Sequence, residues 1–312
     1  MKYRTLGKTG ESVSVVGMGT WQFGGEWGKD FTQAEVNDMF AAAREEGITL
    51  IDTAECYGDH LSEQFIGRAL EEVFPGERDS WFLATKFGHH FTERFERDQI
   101  WDADGVAKQL EDSLRSLRTD YVDLLQFHSG GDDVFDNDEL WKRLETLKQQ
   151  GKVRHIGISI GKNTNDYQTG KAPEVGGEAI QVVYNRLDRA PEEIVLPLCK
   201  THNLGVLARV PLASGYLSGK YKPGASFEKT DVRSRHDSAV VQGKLEEVER
   251  IAREEVPEGV HMAQWALAWC LKHPAVTSVI PGCKNVEQVR SNARAADLDD
   301  LVREDHPQAA QA

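Results

Sequence analysis

Short apolar runs rich in β-branched residues alternate with amphipathic stretches along most of the chain. The runs Val13–Thr20, Thr49–Asp52, Trp81–Lys86, Tyr121–His128, Val153–Ile160, Ala179–Asn185, Gly205–Pro211 and Val276–Pro281 read as strands. Helical periodicity predicts helices over Thr32–Gly47, Leu61–Val73, Asp104–Arg118 and Asp138–Gln150. Thr32 and Glu35 have capping-box spacing, Ser62 stands where an N-cap belongs, and Gly47 and Gly151 sit where helices stop. Regular strand–helix alternation implies a parallel sheet with right-handed crossovers. Eight repeats without a break favour closure into a (β/α)8 TIM barrel over an open sheet. Lys2–Thr9, with Gly10 at its turn, predicts half of an N-terminal β-hairpin cap on the barrel floor. Gly161–Gly177 has weak periodicity, so the fifth helix is expected to be short or replaced by a loop. Ala213–Ser238 is a long connection after the seventh strand, on the face where barrel sites form. No linker or break in composition interrupts the pattern, which predicts one domain over residues 1–312.

Composition narrows the class of partner. A formal net charge of −14 repels phosphate backbones and anionic lipids, so neither nucleic acid nor membrane is expected as a partner. An anionic ligand must then be held by a local cluster of positive groups. No apolar run is long enough to cross a bilayer, and no signal segment follows Met1-Lys2-Tyr3-Arg4. Cys56, Cys199, Cys270 and Cys283 are scattered without a CxxC pair, which predicts free thiols in a reducing compartment. The expected location is the cytoplasm.

Three predicted strands end in ionisable residues: Asp52 on the second, Lys86 on the third and His128 on the fourth. Tyr57 follows shortly after Asp52. The C-terminal ends of barrel strands converge on one mouth, so these four side chains are expected to meet. Singly, each is as well explained as a cap, a turn or a loop residue; their coincidence on successive strand ends is the signal. A phenol is a weak acid at neutral pH, a nearby ammonium lowers its pKa, and a buried ammonium needs a carboxylate. Tyr57 beside Lys86, with Asp52 as counter-charge and a neutral His128 as donor, makes a general acid poised over a carbonyl oxygen. No side chain supplies a hydride, so the set implies a nicotinamide cofactor. His89-His90 invite a metal reading, but metal-dependent barrel hydrolases more often carry an HxH on the first strand and none is present, so no metal is expected. Trp27 and Phe91 are candidates for a substrate pocket, Trp265 and Trp269 for the core, and Cys56 for a buried inert thiol.

A longer set of motifs carries a family resemblance. Asp52-Thr53-Ala54-Glu55-Cys56-Tyr57-Gly58 is followed by Ser62-Glu63 and Ile66-Gly67-Arg68-Ala69-Leu70. Further on stand Thr85-Lys86, Asp120-Tyr121-Val122-Asp123-Leu124, His128, Gln181-Val182-Val183-Tyr184-Asn185, Pro211-Leu212-Ala213-Ser214-Gly215 and Gly219-Lys220-Tyr221. From about Tyr3 to about Leu298 the sequence resembles the aldo-keto reductases. The resemblance implies a catalytic tetrad of Asp52, Tyr57, Lys86 and His128 with Tyr57 as acid, acting on a small carbonyl compound. It implies NADPH/NADP+ extended across the barrel mouth without a Rossmann domain, in keeping with the lack of a GxGxxG after any strand. By the same resemblance Gly19, Thr20 and Trp21, with Asp52, line the nicotinamide end, and Ser159 and Gln181 bind the carboxamide. Leu212, Ser214, Gly215 and Leu217 would wrap the pyrophosphate, with charge added by Lys220. Gly282, Lys284, Gln288 and Asn292 would hold the adenosine and its 2′-phosphate, and Arg233 is a further candidate there. Two positions depart from the family pattern: Ile160 stands where Asn commonly follows the fifth-strand serine, and Arg209-Val210 where an aromatic and a serine are frequent. A guanidinium plane stacks on π-systems, so Arg209 is the expected substitute for the ring that stacks on nicotinamide. The tail after Leu298 is short and polar, and an open pocket is expected. An intact tetrad does not exclude a cofactor-sensing regulatory subunit of the same fold.

Overall fold

Eight parallel strands form one curled sheet in the computed structural model, which describes residues 1–302. In chain order the barrel strands are Met18–Gly19, Leu50–Asp52, Phe82–Phe87, Val122–His128, Val153–Ser159, Gly177–Val183, Gly205–Arg209 and Ser278–Val279. Each pairs with the next in parallel register, from Met18 against Ile51 to Ala208 against Val279. Bridges from Val16 to Val279 and from Gly19 to Gly282 join first strand to last and close the cylinder. The fold is the (β/α)8 barrel that the alternation predicts. The last ten residues of the polar tail lie outside the described residues.

The helices begin and end where their chemistry directs. The first, Gln33–Glu45, starts on a reciprocal capping box between Thr32 and Glu35. The third, Ala103–Leu117, is capped by Asp102, and the helix Asp138–Gln149 by Asn137. The weakly periodic 161–177 segment holds one short helix, Asp166–Lys171. Ser62 is not the cap of Leu61–Val73: that helix follows His60 in a left-handed conformation. Ser62 Oγ lies 2.8 Å from Thr20 Oγ1 and 2.9 Å from Thr53 Oγ1, so it pins the helix to the first two strands.

The apolar run Val13–Thr20 splits into two elements. Ser12–Ser14 pairs antiparallel with Tyr3–Thr5, and the barrel strand resumes at Met18. Ser14 makes the break, its hydroxyl donating to Val16 O and accepting from Thr49 N. The hairpin plugs the floor: its Leu6 and Val13 pack with the inward-facing Leu50, Ala84, Leu124, Ala179, Leu207 and Ile280 as one cluster. A larger apolar cluster fills the space between strands and helices and includes Trp265 and Trp269. A second antiparallel hairpin, which the hydrophobic pattern does not predict, stands at the opposite end, His89–Glu93 with Glu96–Gln99. No helix among the described residues is long and apolar enough to cross a membrane.

Candidate active site

Side chains two residues apart on a strand share a face, and the mouth of the barrel collects the last inward-facing side chain of each strand. Asp52 ends the second strand, and its Oδ1 accepts from Lys86 Nζ at 2.7 Å across the neighbouring strand. Lys86 Nζ also donates to Thr53 O at 2.7 Å and to Tyr57 Oη at 3.2 Å. Tyr57 sits in the turn after the second strand, its ring stacked on Trp21 at 5.9 Å and edge-on to His128 at 6.3 Å. The four residues that end or follow neighbouring strands therefore meet.

Two glutamines complete the ionic layer. Asp52 Oδ2 accepts from Gln126 Nε2 at 3.0 Å and from Gln181 Nε2 at 2.8 Å. Gln181 has been assigned to a carboxamide, but its amide nitrogen is committed to Asp52 and to Gln126 Oε1. Gln126 is absent from the motif reading. Its signal is the alternation of the fourth strand, which puts it on the face of His128, two residues on.

Protonation follows from burial and neighbours. Burial raises the phenol of Tyr57 above its usual value, and the opposing pull of Lys86 does not overcome it. Lys86 does lower this pKa, as expected, but the loss of hydration around the ring is the larger effect and the net shift is upward. Burial also works against the Lys86 ammonium, but Asp52 and Tyr57 more than offset it and its pKa is raised. Burial, reinforced by His89, Lys86 and Arg209, holds His128 well below the usual histidine range, so its ring is neutral at neutral pH. Its Nδ1 lies 3.8 Å from Cys56 Sγ. When the thiol is the donor of this weak bond, the ring proton sits on Nε2.

Asp52, Cys56, Tyr57, His89 and His128 line a cleft of about 1070 Å³. Gly19, Thr20, Trp21, Gln181, Arg209, Leu212, Ser214 and Gly215 line it, as do Lys220, Arg233, Gly282, Lys284, Gln288 and Asn292. Lys86, Ser159 and Leu217 do not. Leu217 is fully buried in the main core, and its amide, like that of Gly215, donates to Leu212 O. These two amides hold the loop's own turn. Ala213, Ser214 and Gly215 all have positive φ, the kind of strained backbone that clusters at ligand loops. Arg233 is ion-paired with Asp231 at 2.6 Å and lies over the rings of Trp27, Tyr221 and Phe227, so its guanidinium already has a partner. Lys284 donates to Trp27 O and its backbone amide to Gln288 Oε1 at 2.9 Å. Burial and the cations Arg233, Lys220 and Lys29 lower the pKa of Lys284 despite Asp231. Surplus positive charge at this end of the cleft is the local cluster that an anionic ligand requires.

In the walls, Arg209 Nε and Asn292 Nδ2 are buried with no hydrogen-bond partner among the described residues, and Ser159 Oγ, outside the lining, is in the same state. Such atoms are costly unless a ligand or water satisfies them. These two wall donors are available to a ligand in the cleft. That spread of donors, with the tyrosine–lysine–aspartate cluster at its foot, agrees with the sequence match. The chain belongs to the aldo/keto reductase family. The family model matches residues 15–312. This aldo/keto reductase is 34% identical to the uncharacterized oxidoreductase YqkF of Bacillus subtilis, covering 98% of this chain and 94% of that one. It is 28% identical to a probable voltage-gated potassium channel subunit beta of Arabidopsis thaliana, over 97% of this chain and 93% of the other. Among solved structures it is similar to the holo form of aldo-keto reductase AKR11C1 from Bacillus halodurans. That match has a TM-score of 0.78 and 30% identity and covers 98% of this chain and 99% of that one. Members of this oxidoreductase family generally bind a nicotinamide cofactor.

Proposed function

We propose that the protein is an NADPH-dependent reductase that converts a small aldehyde or ketone to the alcohol, with Tyr57 as general acid. The observation that carries this reading is the contact of Tyr57 Oη with Lys86 Nζ at 3.2 Å, the same ammonium donating to Asp52 Oδ1 at 2.7 Å. Neutral His128 and the Tyr57 hydroxyl hold the carbonyl oxygen of the substrate by hydrogen bonds. The bound cofactor supplies the hydride that adds to the carbonyl carbon. Tyr57 gives its proton to the carbonyl oxygen, and Lys86 stabilises the phenolate that results. Asp52 keeps the ammonium charged, and Gln126 and Gln181 hold Asp52. The raised phenol pKa keeps Tyr57 in the proton-donating form across the neutral range.

Ser159, with an unpartnered buried hydroxyl, suits the carboxamide of the cofactor. Lys284 and Lys220, in a cation-rich part of the cleft, favour a 2′-phosphate and therefore NADPH over NADH. Trp21 and Trp27, both lining the cleft, shape the carbonyl pocket. The four free, buried thiols fit a cytoplasmic location.

A panel of small aldehydes and ketones with NADPH and with NADH tests the proposal. Turnover is expected with NADPH, and Tyr57→Phe is expected to lower kcat by roughly 10²–10⁴-fold while leaving cofactor affinity in place. Full activity in Tyr57→Phe would overturn the role of the phenol. Cofactor binding without turnover on any carbonyl would favour the second reading, a cofactor-sensing regulatory subunit. The similarity to the Arabidopsis channel subunit supports that alternative.

A further inference from the structure

The geometry points to a soft divalent cation site in the cleft, built by Cys56, His89 and His128, that shuts the active site when zinc(II) fills it. One ligand atom from each of the three residues lies within 4.8 Å of the others. All three side chains line the cleft. Cys56 Sγ and His128 Nδ1 are 3.8 Å apart. Tetrahedral zinc, with bonds of about 2.3 Å to sulfur and 2.0–2.1 Å to nitrogen, sets that edge at roughly 3.6 Å. Two imidazoles and a thiolate supply the three nitrogen or sulfur ligands of an open tetrahedral zinc site, and the soft sulfur selects against magnesium and calcium.

His89 is the ligand that must turn. Its ring stacks on His128 at 4.6 Å with 25° between planes, so the two nitrogens do not yet share a target. Its Nε2 is buried with no hydrogen-bond partner among the described residues, so no polar contact is lost when the ring rotates to meet a metal. The nearby cations Lys86 and Arg97 are paired, with Asp52 at 2.7 Å and Glu26 at 2.6 Å. Arg209 has no ion pair among the described residues and opposes a cation, and the thiolate offsets it. On binding, the S–H bond of Cys56 breaks, the metal–sulfur bond forms and the proton leaves to solvent, with no change of oxidation state. The metal takes no part in turnover: held by His128 Nδ1 and Cys56 Sγ, it fixes the His128 ring and fills the space beside Tyr57. The inhibition rests on the reductase reading above, but the binding does not.

Two measurements separate these halves. The first is metal binding to the full-length, metal-free protein. Cobalt(II) is expected to give tetrahedral d–d bands and a thiolate-to-metal charge-transfer band, and zinc is expected to displace it at one equivalent per chain. Cys56→Ala is expected to abolish the charge-transfer band. His89→Phe, which keeps an aromatic ring in the stack, is expected to weaken zinc binding at least about tenfold against a chromophoric chelator. Thermal unfolding of both variants checks that they are folded. A spectrum with no thiolate band in the wild type overturns the site. So does zinc affinity unchanged in both variants, which would move the metal to another group such as Glu55, Asp59 and His60. The second measurement is the rate of carbonyl reduction with zinc and after chelator. Reversible loss of rate in the wild type, shifted to higher zinc in His89→Phe, is expected. Binding at Cys56 with no loss of rate would overturn the inhibitory role alone.

Discussion

Arg209 occupies the position where an aromatic ring is frequent in the family, and its surroundings differ from those of a surface arginine. One Nη donates to Ile160 O at 3.2 Å, while Nε has no hydrogen-bond partner among the described residues. Burial lowers its pKa, against the pull of Tyr57 and Asp52, and an arginine remains charged under such a shift. In the proposed cofactor placement, a fixed cation beside the nicotinamide would disfavour the ring in its cationic, oxidised form. Arg209→Tyr is therefore expected to bind NADP+ more tightly relative to NADPH than the wild type does. Equal ratios of the two dissociation constants, from fluorescence titration, would refute the idea. Glu178 is a residue whose charge serves the fold instead. Burial opposes its carboxylate, but hydrogen bonds from His155 and from Lys148 at 2.9 Å prevail and bring its pKa down to about 2. A depressed carboxylate pKa stabilises the fold above the unfolded value of 4.5, and this contribution disappears as pH falls towards about 2. Glu178→Gln is expected to be less stable at neutral pH and to lose part of the acid dependence. Urea unfolding of both proteins between these limits checks it: parallel curves would exclude Glu178 as a source.

At the scale of elements, the mouth is held together by one carboxylate. Glu26 is 1% exposed and accepts from Trp21 Nε1 at 2.7 Å, Phe95 N at 2.9 Å and Arg97 Nη2 at 2.6 Å. Its carbonyl accepts from Val232 N at 2.8 Å. One residue thus links the loop after the first strand, the His89–Gln99 hairpin and the long connection after the seventh strand. Removing one partner of a buried pair leaves an uncompensated charge. Arg97→Met is expected to cost about 3 kcal/mol in urea unfolding, and the further change Glu26→Met to restore much of it. Additive losses in the double variant would mean that the two residues do not depend on each other. The hairpin itself was not legible in the chain, because its alternation is carried by His89, Phe91, Arg97 and Gln99 rather than by an apolar face. A polar ribbon over a cleft has little hydrophobic patterning to announce it.

At the scale of the whole molecule, closure of the barrel depends on a close backbone approach. A Cβ on Gly19 would lie 2.6 Å from Ile280 O, where the first strand meets the last. Backbone on both sides leaves no flexible side chain to give way. Gly19→Ala is expected to destabilise the protein by roughly 1–3 kcal/mol, read as a lower urea midpoint, and to weaken cofactor binding because Gly19 also lines the cleft. An unchanged midpoint would show that the seam has slack. The order of the eight strands and the first helices, the floor hairpin and the convergence of Asp52, Tyr57, Lys86 and His128 were legible in the sequence, since periodicity and strand-end position are local properties of the chain. Tertiary structure alone decided the rest. It split Val13–Thr20 at Ser14, turned Ser62 from a cap into a strand tie and committed Gln181 to Asp52. It raised the Tyr57 pKa where a pairwise view of Lys86 lowers it. Each of these outcomes depends on which groups lose water and which partners arrive from distant segments, and neither is encoded in the spacing of residues along one strand.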